Sequence, residues 1–482
     1  MNYVFVGGKT FTEGEKYKFE TNFKSIDNTF AVKHNEINSD TSIGMKSDFN
    51  MCTVKQSRNV LISIIDGLKQ IHFDHSTLKV AIDYIRKYNQ LYVKPTNSIS
   101  YVDSGGYSII VGDVSPINIP RFIYYYNYYL ETEVDTYDYI FSLDIPIFLG
   151  HPKYNTMVDI ERFNRQSLTE SIVKLRENPI LQDKWYFIYQ FKVKGQYEIW
   201  NKLFNELEIK NLTTNYAAGG MVGLRGILRK DPGSKDINFS PFTAIAYKCL
   251  FDYLTGKKVG QEFRFHTLGI YIKYDRFHLY LLEKLFKQYL QMEGLHSNVC
   301  VTYDSVNYMR TAQLKVRDLV IYQFTEDDNE PLIIHQQIQT TPREIFEEVY
   351  GNKLVEIGEE VSLLMESKNL TNIDSFTPMN VYSNVQLDKF FSYIIDRYEI
   401  DKLFFSCQNW TQFSRRTLPI LYTIQAKWPL IFTPKLIRCI EENLRLTYIF
   451  HNCWMKERSE VKLNSIINAF INKIGFPGQL KE

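Results

Sequence analysis

The stretch Ile99-Ser-Tyr-Val-Asp-Ser-Gly-Gly-Tyr107 sets a short run of strand character against a carboxylate, Asp103, and two glycines, Gly105 and Gly106. A strand that ends in this way aims an acid side chain out of its sheet, and glycines without Cβ let a flat ligand approach the backbone closely. An acid followed by glycines also describes an ordinary turn. The weight of the stretch therefore rests on whether other strands end alike.

Further strand-like runs end at Leu143, Tyr189, Ala218, Leu268 and Tyr303, and helix-length segments fall between most of them, at 157–177, 194–208, 241–256 and 275–293. Six such units, at spacings of about 30 to 50 residues, predict an α/β chain built as a (β/α)8 TIM barrel, although a doubly wound sheet gives a similar alternation. The residues just past the strands separate the two: Asp103, Asp144, Gln190, Gly219-Gly220, Gly269 and Asp304. In a barrel these converge on one rim, where barrel enzymes build their active sites, whereas an open sheet spreads them along a line. Singly, each has a plainer role: Asp144 capping a turn before Ile145-Pro146, Gln190 satisfying backbone, Gly219-Gly220 making a bend. Six together point to a site.

With 482 residues, 44% of them hydrophobic, the chain is long enough to bury a large core in two or three domains. A net charge of +1 gives no global footprint for nucleic acid and leaves a local basic groove open. The 34 Tyr and 33 Phe read mostly as core and strand residues. Cys52, Cys249, Cys300, Cys407, Cys439 and Cys453 are scattered with no C-x-x-C pair, and no signal sequence opens the chain, which predicts a cytoplasmic protein with reduced thiols. Apolar runs such as Val60 to Ile65 break well short of the ~18 residues that span a bilayer, so no membrane partner is expected.

The predicted organisation is a polar N-terminal elaboration over 1–50, the barrel over 51–325, an acidic linker at Thr325 to Pro331, and a mainly helical C-terminal domain over 332–482. That domain carries Arg415-Arg416, Lys427-Trp428 and Lys456-Glu-Arg458. Basic and aromatic residues so interleaved either line a nucleic-acid groove or sit as surface charge over a helical core.

In the order Asp103-Ser104-Gly105-Gly106-Tyr107, Ser142-Leu143-Asp144, Ile188-Tyr189-Gln190, Gly219-Gly220-Met221, Leu268-Gly269-Ile270 and Tyr303-Asp304 to Arg310, the chain resembles the queuine and archaeosine tRNA-guanine transglycosylases. Their motifs in the same order are D-S-G-G-F/Y-Q, S-F-D, I-V-Q-G, G-G-L-A-V-G-E, L-M-G-V-G and F-D-C-V-x-P-T-R. The match covers roughly residues 95 to 315. The resemblance implies Asp304 as nucleophile and Asp103 as general acid/base. Replacing a nucleoside's base means breaking an N-glycosidic bond, with one carboxylate attacking the anomeric carbon and a second managing protons. It further implies that Asp144, helped by Gln190 and Gly220, reads the guanine edge within a binding surface that includes Ser104, Gly105, Gly106, Gly219, Met221 and Gly269. Tyr107 and Leu268 would cover the two faces of the base, and Arg310 would contact neighbouring nucleotides.

The chain departs from the family where its C-x-C-x-x-C…H zinc site should follow Asp304, so no structural zinc and no cofactor are expected. Cys453 with His451 reads as a buried thiol beside an ordinary histidine, or as a remnant half-site. The Glu closing G-G-L-A-V-G-E falls on Arg225, and the second family arginine falls on Gln313. These departures resemble the DNA branch of the superfamily, the phage DpdA-type transglycosylases. The implied function is exchange of guanine in DNA for a free 7-deazaguanine base, in the host cytoplasm if the chain is phage-encoded. The alternatives are the same exchange in tRNA, and a catalytically silent barrel that binds nucleic acid as a partner subunit. The oligomeric state is left open.

Overall fold

The computed structural model describes residues 2–6, 59–64, 99–106, 109, 114–146, 156–191, 195–220, 226–228, 237–270, 272–304, 318–322, 332–336 and 372–471. In chain order the strands are β1 (Asn2–Val6), β2 (Asn59–Ser63), β3 (Ile99–Asp103), β4 (Tyr139–Phe141), β5 (Trp185–Gln190), β6 (Asn215–Gly219), β7 (Gly226–Leu228), β8 (Ile237–Phe239), β9 (Phe263–Thr267), β10 (Val299–Asp304), β11 (Asp318–Tyr322) and β12 (Leu332–Gln336). The helices are α1 (Ile119–Thr132), α2 (Met157–Glu177), α3 (Pro179–Lys184), α4 (Gln196–Glu206), α5 (Phe242–Thr255), α6 (Lys273–Met292), α7 (Asn372–Arg397), α8 (Ile400–Ser406), α9 (Trp410–Lys427), α10 (Pro434–Lys456) and α11 (Glu460–Ile471).

Strands β3, β4, β5, β6, β9 and β10 pair in parallel in that order and curl, with helices α1 to α6 connecting or covering them. β2 pairs in parallel with β3, and β1 pairs with both β2 and β10, so the ring of strands closes. The segments that follow β1 and β2 lie outside the described residues, as does the expected linker at Thr325 to Pro331. The first strand comes from within the 1–50 stretch read as an elaboration, so that stretch contributes a structural strand. The pairs β7–β8 and β11–β12 form separate two-stranded antiparallel ribbons.

Because strand side chains alternate between faces, the ring has two distinct apolar cores. Outward positions such as Val102, Ile140, Phe187, Tyr189, Phe265 and Val301 join the helices in one large cluster. Inward positions Leu61, Tyr101, Phe141, Tyr186, Ile188 and Ala217 form a second cluster, with Ile99, Tyr139 and Leu268 packed against it. β5, Trp-Tyr-Phe-Ile-Tyr-Gln, is buried at every position, as expected of a strand covered on both sides. Below the inner cluster the Arg264 guanidinium lies 4.5 Å from the Tyr139 ring centroid and pairs with Glu262.

The C-terminal helices are packed directly onto this body. α5 is apolar almost all round and buried nearly throughout, because it lies between the strands and α10 and α11. His278 of α6 bonds both Thr243 (2.8 Å) on α5 and Thr447 (3.1 Å) on α10, and burial pushes its pKa down to about 3. Arg276 of α6 is 1% exposed and is held by Asp388 and Asn384 of α7, while the Tyr303 hydroxyl of β10 donates to Asp388. No helix among the described residues is long and apolar enough to cross a membrane.

Candidate active site

The C-terminal ends of the parallel strands carry two hydrogen-bonded groups of polar side chains. The first is centred on Asp144. Pairing of β4 with β5 continues past Phe141, the Ser142 N–H donating to the Tyr186 carbonyl at 2.8 Å, and this carries Asp144 up beside Gln190. Helix α2 fixes the segment from behind: Asn164 bonds the Ile145 backbone on both its N–H (2.8 Å) and its carbonyl (2.7 Å), and the Ser167 hydroxyl donates to the Leu143 carbonyl at 3.0 Å. Asp144 Oδ1 then accepts from the Ser104 hydroxyl at 3.1 Å, and Oδ2 accepts from the Gln190 amide. Each carboxylate oxygen keeps capacity for a second donor.

Burial raises the Asp144 carboxyl above its ordinary range, against the opposing pull of the Gln190 and Ser104 bonds. A carboxyl raised in this way makes folding less favourable as pH climbs from the unfolded value through the folded one. Further donors from a ligand would relieve that penalty.

Two glycines make room for this group. A Cβ on Gly106 would lie 3.0 Å from Asp144 Oδ1, and one on Gly219 would lie 2.4 Å from the Gln190 amide nitrogen and 2.8 Å from an Ile188 methyl. Gly219→Ala is therefore expected to displace Gln190 from Asp144. It should cost about 1–3 kcal/mol of stability, the usual range for overpacking, measured by denaturant unfolding; a change within error would show that the amide moves aside freely.

The second group is centred on Asp304, the last residue of β10. Its Oδ1 accepts from the Gly269 N–H at 2.9 Å and lies 3.2 Å from His266 Nε2. Gly269 has φ +80°, a left-handed conformation that turns its N–H toward the carboxylate at the end of β9. His266 is fully buried, and its Nδ1 lies 2.7 Å from the Thr302 hydroxyl. Among the described residues Oδ2 takes no hydrogen bond.

Of the residues expected at the site, Asp103 ends β3 half-buried and Ser104 is buried beneath it. Ser104, the residue after Asp103, donates to Asp144, so the ends of β3 and β4 bring the two aspartates to the same rim. Gly105 and Gly220 turn the chain with φ +84° and +75°. Gln190 and Gly219 are register neighbours, and Leu268 packs on the inner core. Tyr107, Met221 and Arg310, together with Arg225, lie outside the described residues. The sequence reading missed His266, Asn164 and Ser167. A signal for the first was present: in Phe-Arg-Phe-His-Thr the polar residues Arg264 and His266 alternate with apolar ones, which puts both inside the ring.

The C-terminal residues singled out as a basic and aromatic surface divide differently. Trp428, and Trp454 just before Lys456, are 8% and 3% exposed and belong to the helical core, so neither ring is a stacking platform. Arg458 pairs with Glu293, whereas Arg415 and Arg416 line a polar cleft with Gln408, Asn409, Thr411 and Gln412. His451 bonds the Tyr289 hydroxyl at 2.6 Å. No family model matches the chain, and no curated protein matches it significantly in sequence.

Proposed function

We propose that the chain is a (β/α)8-barrel DNA-guanine transglycosylase, exchanging guanine in DNA for a free 7-deazaguanine base through a covalent aspartyl–sugar intermediate. The observation that carries this reading is the presentation of Asp304: one carboxylate oxygen is held by fixed donors and the other takes no hydrogen bond from the described residues, on the same rim as a second aspartate, Asp103. In the first half of the reaction Asp304 Oδ2 bonds the anomeric carbon as the C1′–N9 bond breaks, and the departing guanine takes a proton from Asp103. In the second half the incoming base attacks the same carbon, its N–H proton passes to Asp103, and the C1′–O electron pair returns to Asp304. Two displacements retain the sugar's configuration. Asp144 and Gln190 supply the acceptors and the amide that match a guanine edge, with its N–H donors beside a carbonyl.

The silent-barrel alternative would be favoured by an Asp304 consumed in a structural ion pair, but among the described residues only His266 and Gly269 engage it, both at Oδ1. DNA is preferred over tRNA because the family's zinc motif is absent and its Glu and second arginine are replaced by Arg225 and Gln313. Nucleoside mass spectrometry of DNA and tRNA from cells expressing the chain with a supply of deazaguanine tests all three readings. The deazaguanine nucleoside is expected in DNA. Its appearance only in tRNA would select the RNA reaction, and its absence from both would leave the silent barrel.

A further inference from the structure

The role of His266 rests on the proposed transglycosylation and extends it. His266 is fully buried, its imidazole stacked in the ring interior 4.8 Å from the Phe141 centroid and 5.9 Å from that of Tyr101. A carboxylate only accepts, so the bond to Asp304 Oδ1 requires the proton on Nε2. Asp304 thus fixes the tautomer, and in the neutral imidazole Nδ1 accepts from the Thr302 hydroxyl, which supports that choice. Thr302 and Asp304 are both inward residues of β10, and His266 sits between them from the neighbouring strand.

We infer that His266 is a positioning residue that favours release of Asp304 from the covalent intermediate. In the free enzyme Oδ1 belongs to a carboxylate. Once Oδ2 has bonded the sugar, Oδ1 is the carbonyl oxygen of an ester, a weaker acceptor. The His266 and Gly269 donors therefore stabilise the carboxylate more than the ester. As the incoming base forms its bond to C1′ and the C1′–Oδ2 bond breaks, negative charge returns to the carboxyl group, and fixed donors stabilise it without reorganising. Loss of the imidazole N–H should slow breakdown of the intermediate more than its formation, a difference that general loosening of the fold would not produce.

The test uses the full chain and a guanine-containing single-stranded oligonucleotide. The adduct is allowed to form, then chased with excess radiolabelled guanine, and its decay and the label entering DNA are followed. His266→Phe keeps a ring of similar shape in the stack, and Thr302→Val removes only the hydroxyl. Decay is expected to slow about 100-fold in His266→Phe, near the lower end for loss of one preorganised donor, and by less in Thr302→Val, with adduct accumulating in both. Thermal melting and oligonucleotide affinity establish that each variant is folded; should His266→Phe fail to fold, the Thr302→Val result decides. Decay at the wild-type rate in a folded variant, or equal slowing of formation and decay, would overturn the assignment. A wild-type chain that forms no adduct and exchanges no guanine would refute the underlying transglycosylase reading, and the role of His266 with it.

Discussion

Replacing Asp304 by asparagine is expected to abolish the covalent sugar–enzyme adduct and lower base exchange by about 10³-fold or more, because an amide is a poor nucleophile toward an anomeric carbon. The donors on Oδ1 would still find an oxygen, so the fold around β10 should persist and the loss should be chemical. Asp103→Asn is expected to fail differently. Its nucleophile is intact, so attack continues at a reduced rate, whereas transfer to an incoming base stalls without an acceptor for its proton, and adduct accumulates. Incubation of each variant with oligonucleotide, followed by a denaturing gel, separates the two. An adduct with Asp304→Asn and none with Asp103→Asn would reverse the roles, and wild-type exchange in either would remove that residue from the mechanism.

The largest effect on stability is expected at Asp388. The Arg276 guanidinium is buried and bonds Asp388 through Nε at 2.8 Å and through Nη2, with Asn384 accepting from Nη1 at 2.9 Å. Asp388→Ala removes the carboxylate that this buried charge bonds and the acceptor of the Tyr303 hydroxyl, a loss of about 3–5 kcal/mol measurable by guanidinium unfolding. Replacing both partners, as Arg276→Met with Asp388→Leu, should recover most of it, since a buried pair is often no better than apolar residues of similar size. If the single variant unfolds at the wild-type midpoint, the pair does not secure α7 to α6. Tyr303 precedes Asp304 in β10, so the same variant should also disturb the site.

Much of this architecture was legible in the chain because the strand ends carry its punctuation. The helix expected at 157–177 is α2, and those at 194–208, 241–256 and 275–293 differ from α4, α5 and α6 by at most two residues at each end. Helix α1 escaped because Ile119-Pro-Arg-Phe-Ile-Tyr-Tyr-Tyr is rich in residues of strand propensity. Burial of Phe122, Ile123, Tyr126, Tyr129 and Leu130 on one face overrides that propensity. β1 and β2 are five residues each; β1 is followed by Gly7-Gly8 but sits in the polar stretch read as an elaboration, and β2 has no acid or glycine directly after it. At the site, Asp144, Gln190 and Gly219 were readable as strand-end residues. The residues that aim them were not, because Asn164 and Ser167 act from a helix and His266 from mid-strand, where only the folded register brings them to the carboxylates.

The aromatic filling of the ring has a consequence for traffic. With the rings of Tyr101, Phe141, Tyr186 and His266 packed against one another across its middle and Arg264 below them, the ring, among the described residues, is a vessel with a floor and not a tunnel. On the proposed reaction, a base leaving the rim would find no rear exit among the described residues, nor its replacement a rear entrance. In the proposed exchange the two would use the same mouth in turn, with the polynucleotide strand across it, so the outgoing base would clear the vessel before its successor settles.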